Sequence, residues 1–165
     1  MIFSASKVKL RWVTLDDMPD VLQIEKASFP NPWEVSEFFS ELRQSNCSGI
    51  VAERCGEILG YVIYATYEAH FEIINLAVKS SCRRSGIGTL LLLHVTHTVT
   101  ALGRSATHMA VRETNLDAQL FLKKNGFKVS AILKGLYGDS LEDSYMFTDS
   151  MKGKTPCFVA RNVAI

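Results

Sequence analysis

Hydrophobic and polar positions alternate over residues 7–13, putting Val8, Leu10 and Trp12 on one face, so a half-buried strand is predicted there. Thr14 follows as an N-cap with Asp16 and Asp17 in the first turn. Leu22, Ile24, Ala27 and Phe29 then carry a helical repeat to about Ser28. The segment FPNPW breaks this helix. Asn31, Pro32 and Glu34 stand where an N-cap, an N1 proline and an N3 carboxylate would open a second one, with Val35, Phe38, Phe39 and Leu42 as its apolar face. Residues 49–54 and 58–67 read as strands joined through Cys55-Gly56, a link that suits a hairpin, and 71–78 is a third β-like run. The polar loop SSCRRSGIG leads into a long helix ending at Leu102, with Gly103 placed as its C′ residue. A short strand at 108–111, a helix at 116–125 closed by Gly126, and strands at 127–134 and 144–151 complete the pattern.

This order predicts one mixed α/β domain over residues 1–151 and a tail, 152–165, with little pattern of its own. A chain of 165 residues can bury a full core, and 47% hydrophobic with 21% charged residues excludes disorder or a coiled coil as a description of the whole. Eighteen basic against seventeen acidic side chains, a net +1, give no field that would draw nucleic acid or an anionic membrane. No apolar run approaches a membrane span, and the N-terminus lacks the apolar stretch of a signal peptide. Cys47, Cys55, Cys82 and Cys157 lie far apart without a CxxC, which fits reduced thiols in a cytoplasmic protein. His94 and His97 sit three apart on a helix without further ligands, so no metal is expected.

The chemistry concentrates in NLAVKSSCRRSGIGTLLL. A strand ending at Val78 hands over to a loop that brings Arg83, Arg84, Ser85, Gly86, Ile87 and Gly88 to a helix start, with the Thr89 hydroxyl one residue on. Amide N–H groups at a helix N-terminus carry partial positive charge, glycines admit a bulky anion close to the backbone, and arginines add charge-assisted bonds. The assembly reads as a pyrophosphate site. No GK[ST] follows, so it is not a Walker loop, and no G-x-x-G continues from Gly88, so it is not a dinucleotide fingerprint.

R-R-S-G-I-G resembles the [QR]-x-x-G-x-[GA] acetyl-CoA signature of the GNAT N-acetyltransferases. The preceding NLAV, the run N-x-x-A-x-x-F-x-x-x-x-G-F from Asn115 to Phe127 and the element order are similar to that family from about residue 8 to 151. The resemblance implies the GNAT fold, a central, mostly antiparallel mixed sheet of about seven strands flanked by four helices. It also implies acetyl-CoA as donor and direct transfer of acetyl to an amine in a ternary complex. Within the family, FPNPW, INLAV, MAVRETN, NGF and Glu142-Asp143 look like the RimI-type ribosomal-protein N-terminal alanine acetyltransferases, which implies a protein N-terminus as acceptor. Carried over, the resemblance has residues 74–78, with Leu76, Ala77 and Val78, pair their main chain with the pantetheine arm. Arg83 to Thr89 would hold the pyrophosphate and Asn115 would bond the cofactor near its reactive end. Trp33 and Tyr137 would face the acceptor. Apart from the resemblance, Tyr137 reads as a general acid or as a packing residue.

RimI-type enzymes carry a glutamate base where this chain has Ala110 and a tyrosine acid where it has Leu122. Glu72 is the leading replacement. Its E-I-x-x-x-A-V register is similar to that of histone-type GNAT enzymes, whose base is that glutamate, and a period-two reading puts Glu72, Ile74, Leu76 and Val78 on one face. The same residue also reads as an ordinary exposed strand glutamate, Trp33 as a core staple, and Tyr137 as a packing residue. His108 shares a face with Ala110 and could assist. Two other functions stay open at this point: a GNAT enzyme for a small amine or a lysine, and an acyl-CoA-binding module with little catalysis.

Overall fold

The computed structural model describes residues 8–136, 142–150 and 163–164. Strand β1 (Lys9–Trp12) is followed by a 3-10 turn over Leu15–Asp17 and helices α1 (Met18–Ser28) and α2 (Val35–Leu42). Strands β2 (Cys47–Arg54), β3 (Glu57–Thr66) and β4 (His70–Val78) come next, then α3 (Ile87–Ala101), β5 (Ala106–Arg112), α4 (Leu116–Lys124), β6 (Lys128–Leu133), β7 (Ser144–Ser150) and β8 (Val163–Ala164). The predicted elements are all present, and β8 is an addition from the tail.

One sheet runs in the order β1-β2-β3-β4-β5-β7-β6, with β8 attached to β4. All neighbours are antiparallel except β4 with β5 and β4 with β8. The β2–β3 hairpin turns through Cys55 at φ 53° and Gly56 at φ 81°, two left-handed residues whose twist suits a two-residue turn. On one face of the sheet, α3 and α4 bury Leu91, Leu92, Val95 and Leu122 against Ile73, Leu76, Met109 and Phe147. On the other, α1 and α2 bury Val21, Ile24 and Phe38 against Val51, Tyr61, Ile63 and Ala77.

Two sequence expectations are corrected. Asn31 does not cap α2: the N-cap is Glu34, in a reciprocal box with Glu37, whose carboxylate accepts from the Glu34 N–H at 2.8 Å. Between the two helices the Trp33 ring is buried in the core, edge-on to Phe38 at 5.1 Å, and α2 starts after it. The second correction lies in β4. Its pairing with β3 skips a residue, Ile63 meeting Asn75 and Tyr64 meeting Ile73, so Ile74 is an extra residue in a bulge. Ile73, Leu76 and Val78 face α3, whereas Ile74 and Ala77 face α1 and α2. Glu72, one position from both Phe71 and Ile73 of the α3 side, therefore stands on the α1–α2 side with Ile74 and not with Leu76 and Val78.

Candidate active site

Strands β4 and β5 pair in parallel over only three rungs, His70 with Ala106, Phe71 with Thr107 and Glu72 with His108. Beyond Glu72 and His108 no further rung joins them among the described residues, and the strands part in a cleft whose β4 edge is paired with β8 at Leu76 and Ala77. At its mouth lies the loop from Val78 to Gly86. Arg84, at φ 61°, and Gly86, at φ 89°, both hold left-handed backbone. For an arginine that conformation is strained, and the turn it makes starts α3 abruptly. A Cβ on Gly86 would meet nothing, so glycine is required there by conformation and not by space. Among the described residues no side chain caps α3. Its first amides, at Ile87, Gly88 and Thr89, are left for an outside acceptor. Val78, Arg84, Gly88 and Thr89 line a groove whose far wall is α4, with Asp117, Leu120, Phe121 and Lys124. Uncapped amides, an 87% exposed Arg84 side chain and Lys124 around one groove fit the phosphates of a coenzyme A.

The other expected cofactor residues sit differently. The Arg83 guanidinium is turned inward, donating to the Val78 carbonyl at 3.1 Å and to Ser28 Oγ at 3.0 Å, so it braces the loop against the end of α1. Ser85 donates its hydroxyl to the Cys82 carbonyl. Asn115 caps α4, its Oδ1 accepting from the Ala118 N–H at 3.1 Å. The main chain of Leu76 and Ala77, expected to face a pantetheine arm, is paired in parallel with Val163 and Ala164 of β8. Gly60 lets β3 approach this segment closely, since a Cβ there would lie 2.8 Å from the Ala77 carbonyl oxygen.

At the foot of the cleft the expected RimI-type acid and base positions hold core residues, Ala110 at 2% exposure and Leu122 fully buried. Glu72 stands one rung deeper. It is 2% exposed, and burial pushes its carboxyl up to about 7. Among the described residues it has no hydrogen-bond partner, which distinguishes it from a structural carboxylate. His108, opposite it, shares Nδ1 with Thr148 Oγ1 at 2.8 Å, and Thr148 continues to Ser130 Oγ at 2.7 Å. Burial, with His70 edge-on at 4.8 Å, pulls His108 down to about 4, so its ring is neutral near pH 7. Tyr137 lies outside the described residues. Among the described residues no three His, Cys, Asp or Glu groups gather as a metal site, and no helix is long and apolar enough to cross a membrane.

Sequence reasoning missed two bonded clusters, although it singles out Glu142 and Trp33 for other reasons. Gln119 donates from Nε2 to the Arg112 and Glu113 carbonyls, at 3.1 and 2.9 Å, pinning α4 to the end of β5. Glu142 accepts from the Thr114 hydroxyl, from the Thr114 N–H at 2.9 Å and from Arg112 Nη1 at 3.3 Å, bonds that lower its carboxyl below the usual range. The other set centres on Glu25, a fully buried carboxylate on α1 bonded to Trp33, Tyr61 and Asn75. Its partners lie 8, 36 and 50 residues away, so no local spacing could reveal it.

Comparison with known proteins converges on one family. A putative [ribosomal protein bS18]-alanine N-acetyltransferase of Bacillus subtilis (strain 168) is 29% identical over 140 residues, covering 84% of this chain and 93% of that protein. The crystal structure of the ribosomal-protein-S18-alanine N-acetyltransferase from Escherichia coli superposes with a TM-score of 0.78 at 22% identity, covering 92% of this chain and all of that one. Arabidopsis thaliana NAA60, solved in complex with acetyl-CoA, gives 0.77 at 22% identity over 89% of this chain and 100% of its own. Residues 18–127 match the acetyltransferase (GNAT) family, and by that match, over more than half of its length, the chain belongs to the GNAT acetyltransferases.

Proposed function

We propose that this enzyme transfers acetyl from acetyl-CoA to the α-amine of a protein N-terminus, in the manner of the ribosomal-protein alanine acetyltransferases it is similar to. One cytoplasmic domain, residues 1–151, would perform the reaction. The observation that carries this reading is Glu72: a buried carboxylate where β4 and β5 part, without a hydrogen-bond partner among the described residues and pushed up to about 7 by burial.

Acetyl-CoA, when bound, supplies the acetyl group as a thioester whose C–S bond breaks as the amine's C–N bond forms. The uncapped start of α3 and Arg84 hold the phosphates, with Arg83 keeping their loop in shape. These groups sit at the end of the cleft bounded by α3 and α4. Glu72 stands on the opposite, α1–α2 side of β4. The amine therefore enters from the α1–α2 side, past the FPNPW loop, and sheds its proton to Glu72. Ala110 leaves the space above Glu72 free of a competing carboxylate.

Magnitudes favour an N-terminal acceptor. An α-amine with a pKa near ~8 is roughly a tenth free base at pH 7, whereas a lysine near ~10.4 is free in about one molecule in two thousand. A base titrating at about 7 is matched to the first and poorly to the second. The thiolate leaving group, with a pKa around ~8.5, needs little help from an acid, which lessens the need for a tyrosine at the Leu122 position.

The test is steady-state thiol release with acetyl-CoA and a panel of hexapeptides. The panel offers a free α-amine, a blocked α-amine with an internal lysine, or a polyamine in place of peptide. Turnover confined to free α-amines supports the reading. Preference for lysine or polyamine moves the enzyme to another acceptor class. Tight acetyl-CoA binding without turnover on any amine leaves a binding module, the outcome that Ala110 and Leu122 would favour.

A further inference from the structure

Glu25 lies in the last turn and a half of α1 and is fully buried. Its Oε1 accepts from the backbone N–H of Trp33 at 2.8 Å. Its Oε2 accepts from the Tyr61 hydroxyl on β3 and from Asn75 Nδ2 on β4 at 3.3 Å. Tyr61 and Asn75 also meet each other at 3.2 Å. One carboxylate thus ties together α1, the loop between α1 and α2, and two central strands. Burial raises its pKa, and the three donors oppose that rise.

A buried carboxylate is an expensive way to stabilise a fold, because an apolar side chain of the same volume often does as well. What the carboxylate adds here is geometry. The loop that it holds, FPNPW, contains two prolines, which have no N–H to donate, so the chain between α1 and α2 has few backbone anchors of its own. The Trp33 N–H is the loop's link to Glu25, and Asn75 belongs to the bulged stretch of β4, one residue past Ile74. That stretch lies between Glu72 and the Leu76–Ala77 edge. The loop packs with Ile74 and Ala77 on the face where Glu72 stands.

We propose that Glu25 is a positioning residue: through the Trp33 N–H it fixes the FPNPW loop to β4, and so sets the wall that presents the acceptor amine to Glu72. This rests on the N-terminal acetyltransferase reading above. It adds a residue that touches neither substrate and acts on the acceptor side alone.

The test uses the full chain and two substitutions. Glu25→Met keeps the side-chain volume and removes both acceptors. Glu25→Gln keeps one of them: its carbonyl can accept from Trp33, and its amide can donate to the Tyr61 oxygen while the Tyr61 proton turns to Asn75 Oδ1, leaving the weak 3.3 Å bond from Asn75 Nδ2 as the one lost. The measurements are amide hydrogen exchange at Trp33, kcat and KM for a hexapeptide beginning with alanine, and the Kd of acetyl-CoA by calorimetry. Losing a charge-assisted bond predicts that Glu25→Met speeds Trp33 exchange and raises the peptide KM about tenfold or more, with kcat and the acetyl-CoA Kd within about twofold, while Glu25→Gln stays within about threefold throughout. Should Glu25→Met not fold, Glu25→Asp, too short to reach Trp33 and Tyr61 together, is read in its place.

A folded Glu25→Met with an unchanged peptide KM overturns the inference, as does an acetyl-CoA Kd that weakens in step. So does a Glu25→Gln as damaged as Glu25→Met. A wild-type protein that acetylates no peptide overturns the function and this inference together. A wild type that turns over, matched by Glu25→Met, overturns this inference alone.

Discussion

Glu72 of β4 and His108 of β5 face each other across the last parallel rung before the two strands part. The pairing fixes the character of both. His108 is held neutral near pH 7 by burial and by its neighbour His70, so it offers Glu72 no positive charge. Among the described residues no cation and no donor favours the carboxylate, and burial lifts Glu72 to about 7. A proton acceptor of that strength at the foot of the cleft can both take and return a proton at physiological pH.

Replacing Glu72 with Gln should lower kcat on a free α-amine by about two orders of magnitude, the usual worth of a positioned base. The pH profile discriminates further. Wild-type kcat should climb as pH rises through about 7, where Glu72 loses its proton, and Glu72→Gln should lose that limb. A variant that keeps both the rate and the limb would remove Glu72 from the chemistry.

The same group has a signature in stability. Its folded pKa of about 7 stands above the ordinary 4.5, so the native state binds a proton that the unfolded chain releases between those values. Ionising Glu72 therefore costs the fold nothing below about pH 4.5, increasingly more as pH rises toward 7, and its full penalty above that. The shift corresponds to about 3 kcal/mol at most. Glu72→Gln should accordingly melt higher than wild type at pH 8 and close to it at pH 4.5. Equal melting temperatures at pH 8 would mean that the carboxylate is solvated in solution.

Arg83 and Arg84 should separate cleanly despite being neighbours in the motif. Arg84 is exposed and, among the described residues, makes a single 3.6 Å contact, to an exposed Asp117, so Arg84→Ala should leave the melting temperature unchanged and raise the acetyl-CoA Kd about tenfold, an effect that shrinks with added salt. Arg83 is bonded to Val78 and Ser28, so Arg83→Ala should lower the melting temperature as well as the affinity. Calorimetric titration alongside thermal melts reads both. An Arg84 variant with unchanged affinity would take that side chain out of the phosphate site.

These contrasts show where the sequence could be read and where it could not. Helices and strands follow hydrophobic period, and the start of α3 follows a glycine pattern that few other structures need, so both were legible. The bulge at Ile74 was not, because Ile73, Ile74, Leu76 and Ala77 are apolar on both faces and any register satisfies them. Arg83 looked like a ligand because its two bonds within the fold go to a backbone carbonyl and to a serine 55 residues away. Glu25 gave no signal for the same reason: what buries it arrives from β3, β4 and the FPNPW loop.

The last relationship to test is that between β8 and β4. Val163 and Ala164 pair in parallel with Leu76 and Ala77, on the strand edge that the family resemblance assigns to the pantetheine arm. Two chains cannot take the same backbone donors and acceptors, so tail and cofactor should compete. A binding-competent state populated at only about a tenth would weaken the apparent affinity about tenfold. Removing residues 152–165 should then lower the acetyl-CoA Kd by up to that factor. Val163→Pro in the full chain, which deletes a donor from β8, should move it the same way. Conversely, adding coenzyme A to the full chain should expose the tail to proteolysis. A truncated protein that binds acetyl-CoA no more tightly, or more weakly, would show that β8 supports β4 instead of occupying the cofactor's place.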